Sequence, residues 1–172
     1  MFNVNTDVDV SLSGQRVGFE IVIRITKGLV MSSSAQYLQA PISSHIAEAL
    51  VVLHGIRFAL NSGLLPFLVE SDALNVVNLI RFGCSPDVDV GIVVRKILEV
   101  RNAFLDPLIF FASRKSNLVA HSLAKMVLSI EEDLFWLMSI PPYLELLVMG
   151  DALRSTWAIW EIQQKLLEAF LE

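Results

Sequence analysis

Two acidic residues lie at positions where a carboxylate needs a chemical reason. Glu48 falls early in a predicted helix among apolar neighbours, and Asp72 follows closely on the short apolar run from Phe67 to Val69. A charge among apolar residues is unfavourable unless it has a partner or a function. Asp72 would lie just past the carboxyl end of a buried strand, which is where open α/β sheets bind their ligands. Carboxylate oxygens are the ligands that a hard cation such as Mg²⁺ prefers, so this pair is a candidate site.

Each of these acids also has a purely structural explanation, which the sequence leaves open. Asp72 precedes a predicted helix at 73–82 and could be its N-cap, since a carboxylate accepts hydrogen bonds from the first free N–H groups. Glu48 could be an exposed acid in the first turn of its helix, where the helix dipole favours negative charge.

The segment between the two acids predicts one helix followed by one strand. Gly63 closes the helix, because glycine adopts the left-handed cap conformation without steric strain, and Pro66 precedes the strand. Either Ser43 or Ser44 can cap the start of the helix. The apolar residues that recur at helical spacing along it are Ile46, Leu50, Leu53, Ile56 and Leu60.

The rest of the chain predicts an α/β fold with one mixed sheet. Alternating or β-branched runs indicate strands at 2–10, 16–25 and 29–38, before the helix that carries Glu48. After Asp72, the pattern indicates helices at 73–82, about 90–104 and 117–129, with a short strand at 108–112 between the last two. The order β-β-β-α-β-α-α-β-α predicts a mixed five-stranded sheet with helices on its faces.

Several ordered motifs resemble one known family. The run AEALVVLHGIRFA followed by VESDALNVVNLI, and later FASRKSNLVAHSLAKMVLS, resemble the ribonuclease H-type domain of plant retroelement-derived, reverse transcriptase-associated proteins. Upstream, FNVNTDVDV and VGFEIVIRITKGLVMSSSAQYL resemble the opening three-stranded meander of that family. The match covers roughly residues 2–151, and it implies the ribonuclease H-like fold.

The resemblance also implies an activity and a set of site residues. Such enzymes hydrolyse the RNA strand of RNA–DNA hybrids, and they use four acids to hold two Mg²⁺ (or Mn²⁺) ions. The helix acid of the family falls on Glu48 and the acid after the strand on Asp72. The acid of the first strand falls on Asn5, and the acid of the last helix falls on His121, a candidate assisting group.

Asn5 is the departure that bears most on activity. An amide offers a metal one neutral oxygen, without the charge and the second oxygen of a carboxylate. The resemblance therefore predicts weakened metal binding and weak cleavage, which Asn5→Asp would raise. An alternative is that Asp7 takes this role, because Asp7 lies two residues further along the same strand face, about 6.6 Å away.

Contacts to nucleic acid are predicted near both ends of the domain. Arg114 and Lys115 could contact phosphate, and Asn3 and Asn117 could hydrogen-bond sugar hydroxyls, which distinguish RNA from DNA. A solvated loop is the alternative for the two basic residues. A second hypothesis for the whole chain is a nucleic-acid-binding module without chemistry, and a third is a protein-interaction domain.

The distribution of charge predicts three parts. The net charge of −5 arises from 11 basic and 10 acidic residues in 1–130, against 2 basic and 8 acidic residues in 131–172. We expect a ribonuclease H-like domain at 1–130, a family-type tail at 131–151 and an amphipathic helical extension at 152–172. That extension either docks on its own domain or binds a protein partner through its apolar stripe, which comprises Leu153, Trp157, Trp160, Leu167 and Leu171.

The compartment is only broadly indicated. Cys84 is the one cysteine, which excludes an internal disulfide. No secretory signal or uncharged apolar run of membrane-spanning length is recognisable, so an intracellular protein is expected. A strand that starts straight after Met1 suggests a fragment or a chain that has lost an upstream portion.

Overall fold

The computed structural model describes residues 1–26, 28–104, 107–113, 118–141, 144 and 146. The strands are β1 (Phe2–Val10), β2 (Arg16–Ile25), β3 (Val30–Gln39), β4 (Phe67–Ser71), β5 (Ile109–Phe111) and β6 (Leu134–Leu137). The helices are α1 (Ser44–Asn61), α2 (Leu74–Phe82), α3 (Val88–Ala103) and α4 (Leu118–Ile130). The predicted element order is therefore confirmed up to α4, and the predicted ends lie within about two residues of the observed ones.

All six strands form one mixed sheet in the order β5-β4-β1-β2-β3-β6. Strands β1, β2 and β3 are an antiparallel meander, whereas β4 runs parallel to β1 and β5 parallel to β4. The prediction of five strands was wrong by one. Residues 134–137, which were assigned to the tail, pair antiparallel with β3 and extend the sheet at that edge.

Helix α1 packs on one face of the sheet. The hydroxyl of Ser43 accepts a hydrogen bond of 3.3 Å from the N–H of Ile46 and so caps this helix, as predicted. A Cβ at Gly55 would lie 2.6 Å from Cγ2 of Thr6, so glycine allows the helix to approach β1 closely. The buried residues that α1, α2 and α3 contribute to this core include Val51, Val52, Leu53, Ile56, Val76, Ile80, Val94 and Ile97.

Helix α4 covers the opposite face of the sheet. A Cβ at Gly18 would lie 2.4 Å from the carbonyl oxygen of Ala124, so the C-terminal half of α4 rests almost directly on the β2 backbone. The N-terminal half of α4 packs on Val22. The small core beneath this helix comprises Val22, Val119, Ala120, Leu123, Ile140 and Leu144. Ile140 and Leu144 lie after β6, so the segment that follows the last strand contributes to the core.

Some predicted features lie outside the described residues. These are the extension at 152–172 and the residues Arg114, Lys115 and Asn117. Among the helices that the structure describes, none combines the length and the apolar character that crossing a membrane requires.

Candidate functional site

The parallel pairing of β1 with β4 decides which polar residues meet. Asn5 lies opposite Glu70, and Thr6 lies opposite Ser71, at the end of β4. Asp7 follows Thr6 in β1 and Asp72 follows Ser71 directly after β4, so the two acids lie at the same end of this strand pair. Because the side chains of Asn5 and Glu70 contact each other, alternation along β1 directs Asp7 to the face that carries this contact.

Helix α4 adds an imidazole to Asp7. Nδ1 of His121 lies 3.0 Å from Oδ2 of Asp7, and Oδ1 of Asp7 accepts a hydrogen bond of 2.8 Å from the N–H of Val8. With Asp7 ionised, which can then only accept, a neutral His121 ring donates from Nδ1 and keeps its proton-accepting lone pair on Nε2. Asp7 is buried, whereas 16% of the His121 side chain is exposed to solvent.

Glu48 lies on α1, close to the same end of the sheet. Helix α1 is followed by a short turn and then β4, so it runs antiparallel to β4 and begins at the carboxyl end of that strand. Glu48 is half-buried, and no acidic residue lies in the first turn of this helix. The alternative in which Glu48 is an exposed first-turn acid is therefore wrong.

Asp72 does not cap the helix that follows it. The N-cap of α2 is Ala73, and this end of the helix has no side-chain cap hydrogen bond. Ser71 forms the side-chain hydrogen bond at this turn, since its hydroxyl accepts a 3.2 Å hydrogen bond from the N–H of Ala73. The cap explanation for Asp72 is thus contradicted, while its predicted position after the strand is correct.

Asn5 is held inside a buried polar triad. Its Nδ2 donates a 2.6 Å hydrogen bond to Oε2 of Glu70. Its Oδ1 accepts two hydrogen bonds from Arg24, of 3.1 Å from Nε and 2.6 Å from Nη2. The amide therefore bridges a cation on β2 and an anion on β4, which requires a donor at one end and an acceptor at the other. The role of Asn5 as a weakened metal ligand stays a prediction, and its side chain also links the two strands on either side of β1.

Glu20 is a further acid that the sequence interpretation did not single out. It is the cross-strand partner of Asp7, it is 0% exposed, and neither of its carboxylate oxygens has a hydrogen-bond partner within the described part of the chain. Burial, and then the charge of Asp7, raise the pKa of Glu20 well above its usual value. The backbone N–H of Ile21 partly offsets this shift, although its geometry falls short of a hydrogen bond. A charged residue inside the apolar run of β2 was the signal that could have revealed it.

The predicted sugar contact of Asn3 is not supported by its position. Asn3 is buried within β1, and its Oδ1 has no hydrogen-bond partner in the regions that the structure covers. The contact of Asn3 with a sugar hydroxyl therefore stays a prediction.

The donor chemistry of this region fits a hard divalent cation. Asp7 lies in β1, Asp72 directly follows the neighbouring strand β4, and Glu20 is the cross-strand neighbour of Asp7. Across the described residues, no three His, Cys, Asp or Glu side chains form a group that could hold a metal ion. Mg²⁺ typically keeps several waters and takes one or two protein carboxylates, so two of these acids suffice for it.

Comparisons with known proteins agree with this architecture. Residues 5–127 match the family described as reverse transcriptase-like. No curated protein matches the chain. Among solved structures, ribonuclease H1 of the archaeon Halobacterium salinarum NRC-1 is similar with a TM-score of 0.70 and 16% identity, over 75% of this chain and 98% of the archaeal one.

Two further structures have the same fold. The compost-derived LC11 ribonuclease H1 in complex with an RNA/DNA hybrid has a TM-score of 0.67 and 14% identity, over 76% of this chain and 99% of its own. The N-terminal ribonuclease H domain of rv2228c from Mycobacterium tuberculosis has a TM-score of 0.65 and 17% identity, over 75% and 94%. At these identities the similarity establishes the fold, which is ribonuclease H-like with a six-stranded mixed sheet.

Proposed function

The chain belongs to the reverse transcriptase-like family, and from this premise we propose that it binds RNA/DNA hybrids and hydrolyses their RNA strand with a divalent cation. The observation that carries the proposal is the 3.0 Å contact between Nδ1 of His121 and Oδ2 of Asp7, beside the predicted site residue Asp72. Solved ribonuclease H relatives, one of them bound to an RNA/DNA hybrid, support the choice of substrate. The origin from a plant retroelement is part of the same proposal, and it rests on the sequence motifs.

Asp7, Glu48 and Asp72 are the residues that would hold Mg²⁺ or Mn²⁺. Asp7 takes the place that the sequence alone assigned to Asn5, because it is a carboxylate and continues the register toward Asp72. When bound, the cation supplies activation of a water molecule and stabilisation of the leaving oxygen. Carboxylates from β1, β4 and α1 would neutralise its charge from three elements of the fold.

His121 is the proton-handling group of the proposal. Asp7 accepts the proton on Nδ1, which fixes the orientation of the ring and directs the basic lone pair to Nε2. A proton released by the attacking water would be accepted at Nε2. The partial exposure of the ring allows that proton to reach solvent afterwards.

The alternative function is a nucleic-acid-binding or protein-interaction module that lacks chemistry. One observation favours it, namely that no group of three metal-binding side chains occurs among the described residues. This alternative predicts binding of a hybrid without cleavage. The acidic segment 131–172 would then serve a protein partner.

The test is cleavage of an end-labelled RNA/DNA hybrid in Mg²⁺ and in Mn²⁺. Asp7→Asn and Asp72→Asn should each lower the rate by about a hundredfold or more, since loss of a metal-binding carboxylate removes several kcal/mol of transition-state stabilisation. Asp9→Asn is the matched control, because Asp9 is a half-buried acid two residues further along β1, and this variant should keep the wild-type rate.

His121→Gln should lower the cleavage rate about a hundredfold while the Kd for the hybrid stays unchanged, since a general base contributes to the chemical step. A wild-type protein that binds the hybrid and does not cleave it in either metal supports the alternative function. A protein that does neither contradicts the proposed function and the nucleic-acid-binding module, and supports the protein-interaction module.

A further inference from the structure

Glu20 lies directly opposite Asp7 on the neighbouring strand. The two residues are Cα partners in the antiparallel pairing of β1 with β2. In such a pair the Cβ atoms lie about 4.5–5.5 Å apart and both side chains point to the same face. That face is the one covered by α4, because Gly18 and Val22, two residues to either side of Glu20, both pack against α4.

This arrangement is unfavourable unless something else binds there. A negative charge on Glu20 would be repelled by the carboxylate directly opposite it, and a buried carboxyl group without a hydrogen bond loses its hydration without compensation. Neither carboxyl oxygen of Glu20 has a hydrogen-bond partner within the described chain, and the residue is 0% exposed. Arg24 does not relieve it, because it lies four residues further along β2, about 13 Å away at about 3.3 Å per residue.

We propose that Glu20 is a further ligand for the divalent cation of the site and holds it together with Asp7. This inference rests on the proposed function. It explains how a site with His121 at the α4 position can still collect negative charge, since β2 supplies the carboxylate that α4 lacks. A cation shared by Asp7 and Glu20 would remove the repulsion between them and satisfy the orphaned oxygens of Glu20. Two carboxylates are within the number that Mg²⁺ commonly takes from a protein.

The experiment measures binding of Mn²⁺ alone to the full chain, by loss of the electron paramagnetic resonance signal of the free ion. Glu20→Gln should raise the Kd for Mn²⁺ about tenfold or more, because it removes one charged ligand and keeps the shape of the side chain. Glu99→Gln is the matched control, since Glu99 is an exposed carboxylate on α3, and it should bind Mn²⁺ like the wild type. Asp72→Asn reports separately on the site of the proposed function and should also weaken binding.

A second measurement uses the unmodified protein, so it does not depend on how the variants fold. Diamagnetic Mg²⁺ should shift the side-chain carboxyl ¹³C resonance of Glu20 together with that of Asp7, and should leave that of Glu99 unchanged. Wild-type Kd in Glu20→Gln, or an unchanged carboxyl resonance of Glu20 at saturating Mg²⁺, would overturn the inference. If Asp72→Asn still weakens binding in that case, the proposed function stands without Glu20, whereas absence of any Mn²⁺ binding contradicts both.

Discussion

The amide of Asn5 donates a 2.6 Å hydrogen bond to the carboxylate of Glu70 from within the sheet. Arg24 donates to the other end of the same amide, so one neutral side chain separates a buried cation from a buried anion. The bridge ties β1 to both of its neighbours, β2 and β4, two residues before Asp7. Asn5 therefore links three strands of the sheet, and its exchange for a carboxylate should also change the stability of the protein.

Asn5→Asp should destabilise the protein rather than activate it. The change places a second carboxylate within hydrogen-bond distance of Glu70 and removes the donor that Glu70 uses. We expect the free energy of unfolding to fall by about 1–3 kcal/mol, the range for a buried polar group that loses its partner. Urea unfolding of the variant and the wild type measures this difference.

The double variant Asn5→Asp/Glu70→Gln is the control for that prediction. It restores a donor opposite the new carboxylate and keeps the contact with Arg24, so most of the lost stability should return. An Asn5→Asp variant that is as stable as the wild type and cleaves the hybrid faster would contradict the role of Asn5 as a bridge between Arg24 and Glu70. It would support Asn5 as a metal-binding position.

Leu53→Ala tests the assignment of the helix stripe. Leu53 is buried in the core between α1 and the sheet, as its spacing along the helix predicts. Truncation of a buried leucine leaves a cavity and should lower the free energy of unfolding by about 2–5 kcal/mol. Leu74→Ala is the control, because Leu74 is exposed at the start of α2. A loss below about 1 kcal/mol for Leu53→Ala would show that the stripe does not face the core.

The elements were predictable because local patterns determine them. Apolar spacing, Ser43 and Gly63 define α1, and alternation defines the meander. The choice between Asn5 and Asp7 was not predictable in this way, because both lie on one face of one strand. Our proposal of Asp7 rests on the long-range register of β1 against β4, and a register is not a local property.

Two other features were missed for related reasons. Glu20 is one charge in an apolar run, and its cross-strand neighbour Asp7 becomes apparent only when β1 and β2 are paired. Strand β6 is four residues long, between acidic residues and a proline, and its pairing with β3 spans about a hundred residues of sequence. Short strands of this kind have too few residues for periodicity to identify them.

Stability should decrease as the pH falls below about 6.5, through His54. The ring of His54 packs against Phe19 at a centroid distance of 5.5 Å, and burial, followed by the charge of Arg57, lowers its pKa. Below the unfolded-state pKa of about 6.5 the unfolded chain therefore binds more protons than the folded one, so acid favours unfolding. The stability that the neutral His54 ring contributes is fully present above pH 6.5. It is lost as the pH falls toward the lower pKa of His54 in the folded protein.

The measurement for His54 is the free energy of unfolding between pH 8 and pH 5. His54→Leu keeps an apolar group against Phe19 and cannot titrate, so its stability should depend less steeply on pH than that of the wild type. His45→Leu is the matched control, since His45 is exposed on the same helix, and it should behave like the wild type. Identical pH profiles for His54→Leu and the wild type would contradict this prediction.

Deletion of residues 152–172 should leave a folded, soluble domain, whereas deletion of 131–172 should not. The first prediction follows from the end of the family resemblance near Asp151 and from the change in charge after residue 130. The second follows from the sheet and the core. Removal of 131–172 takes away β6, which covers the edge of β3, together with Ile140 and Leu144 from the core under α4. An uncovered edge and an exposed apolar face favour aggregation.

Circular dichroism and size-exclusion chromatography of the two truncated proteins distinguish these outcomes. The 1–151 protein should keep the wild-type spectrum and elute as a discrete species, and the 1–130 protein should unfold or aggregate. If 1–151 is unfolded, the extension is part of the core and the predicted division at 152 fails. If 1–130 is as stable as 1–151, the pairing of β6 with β3 contributes little, and the fold needs no more than the five strands that the sequence predicted.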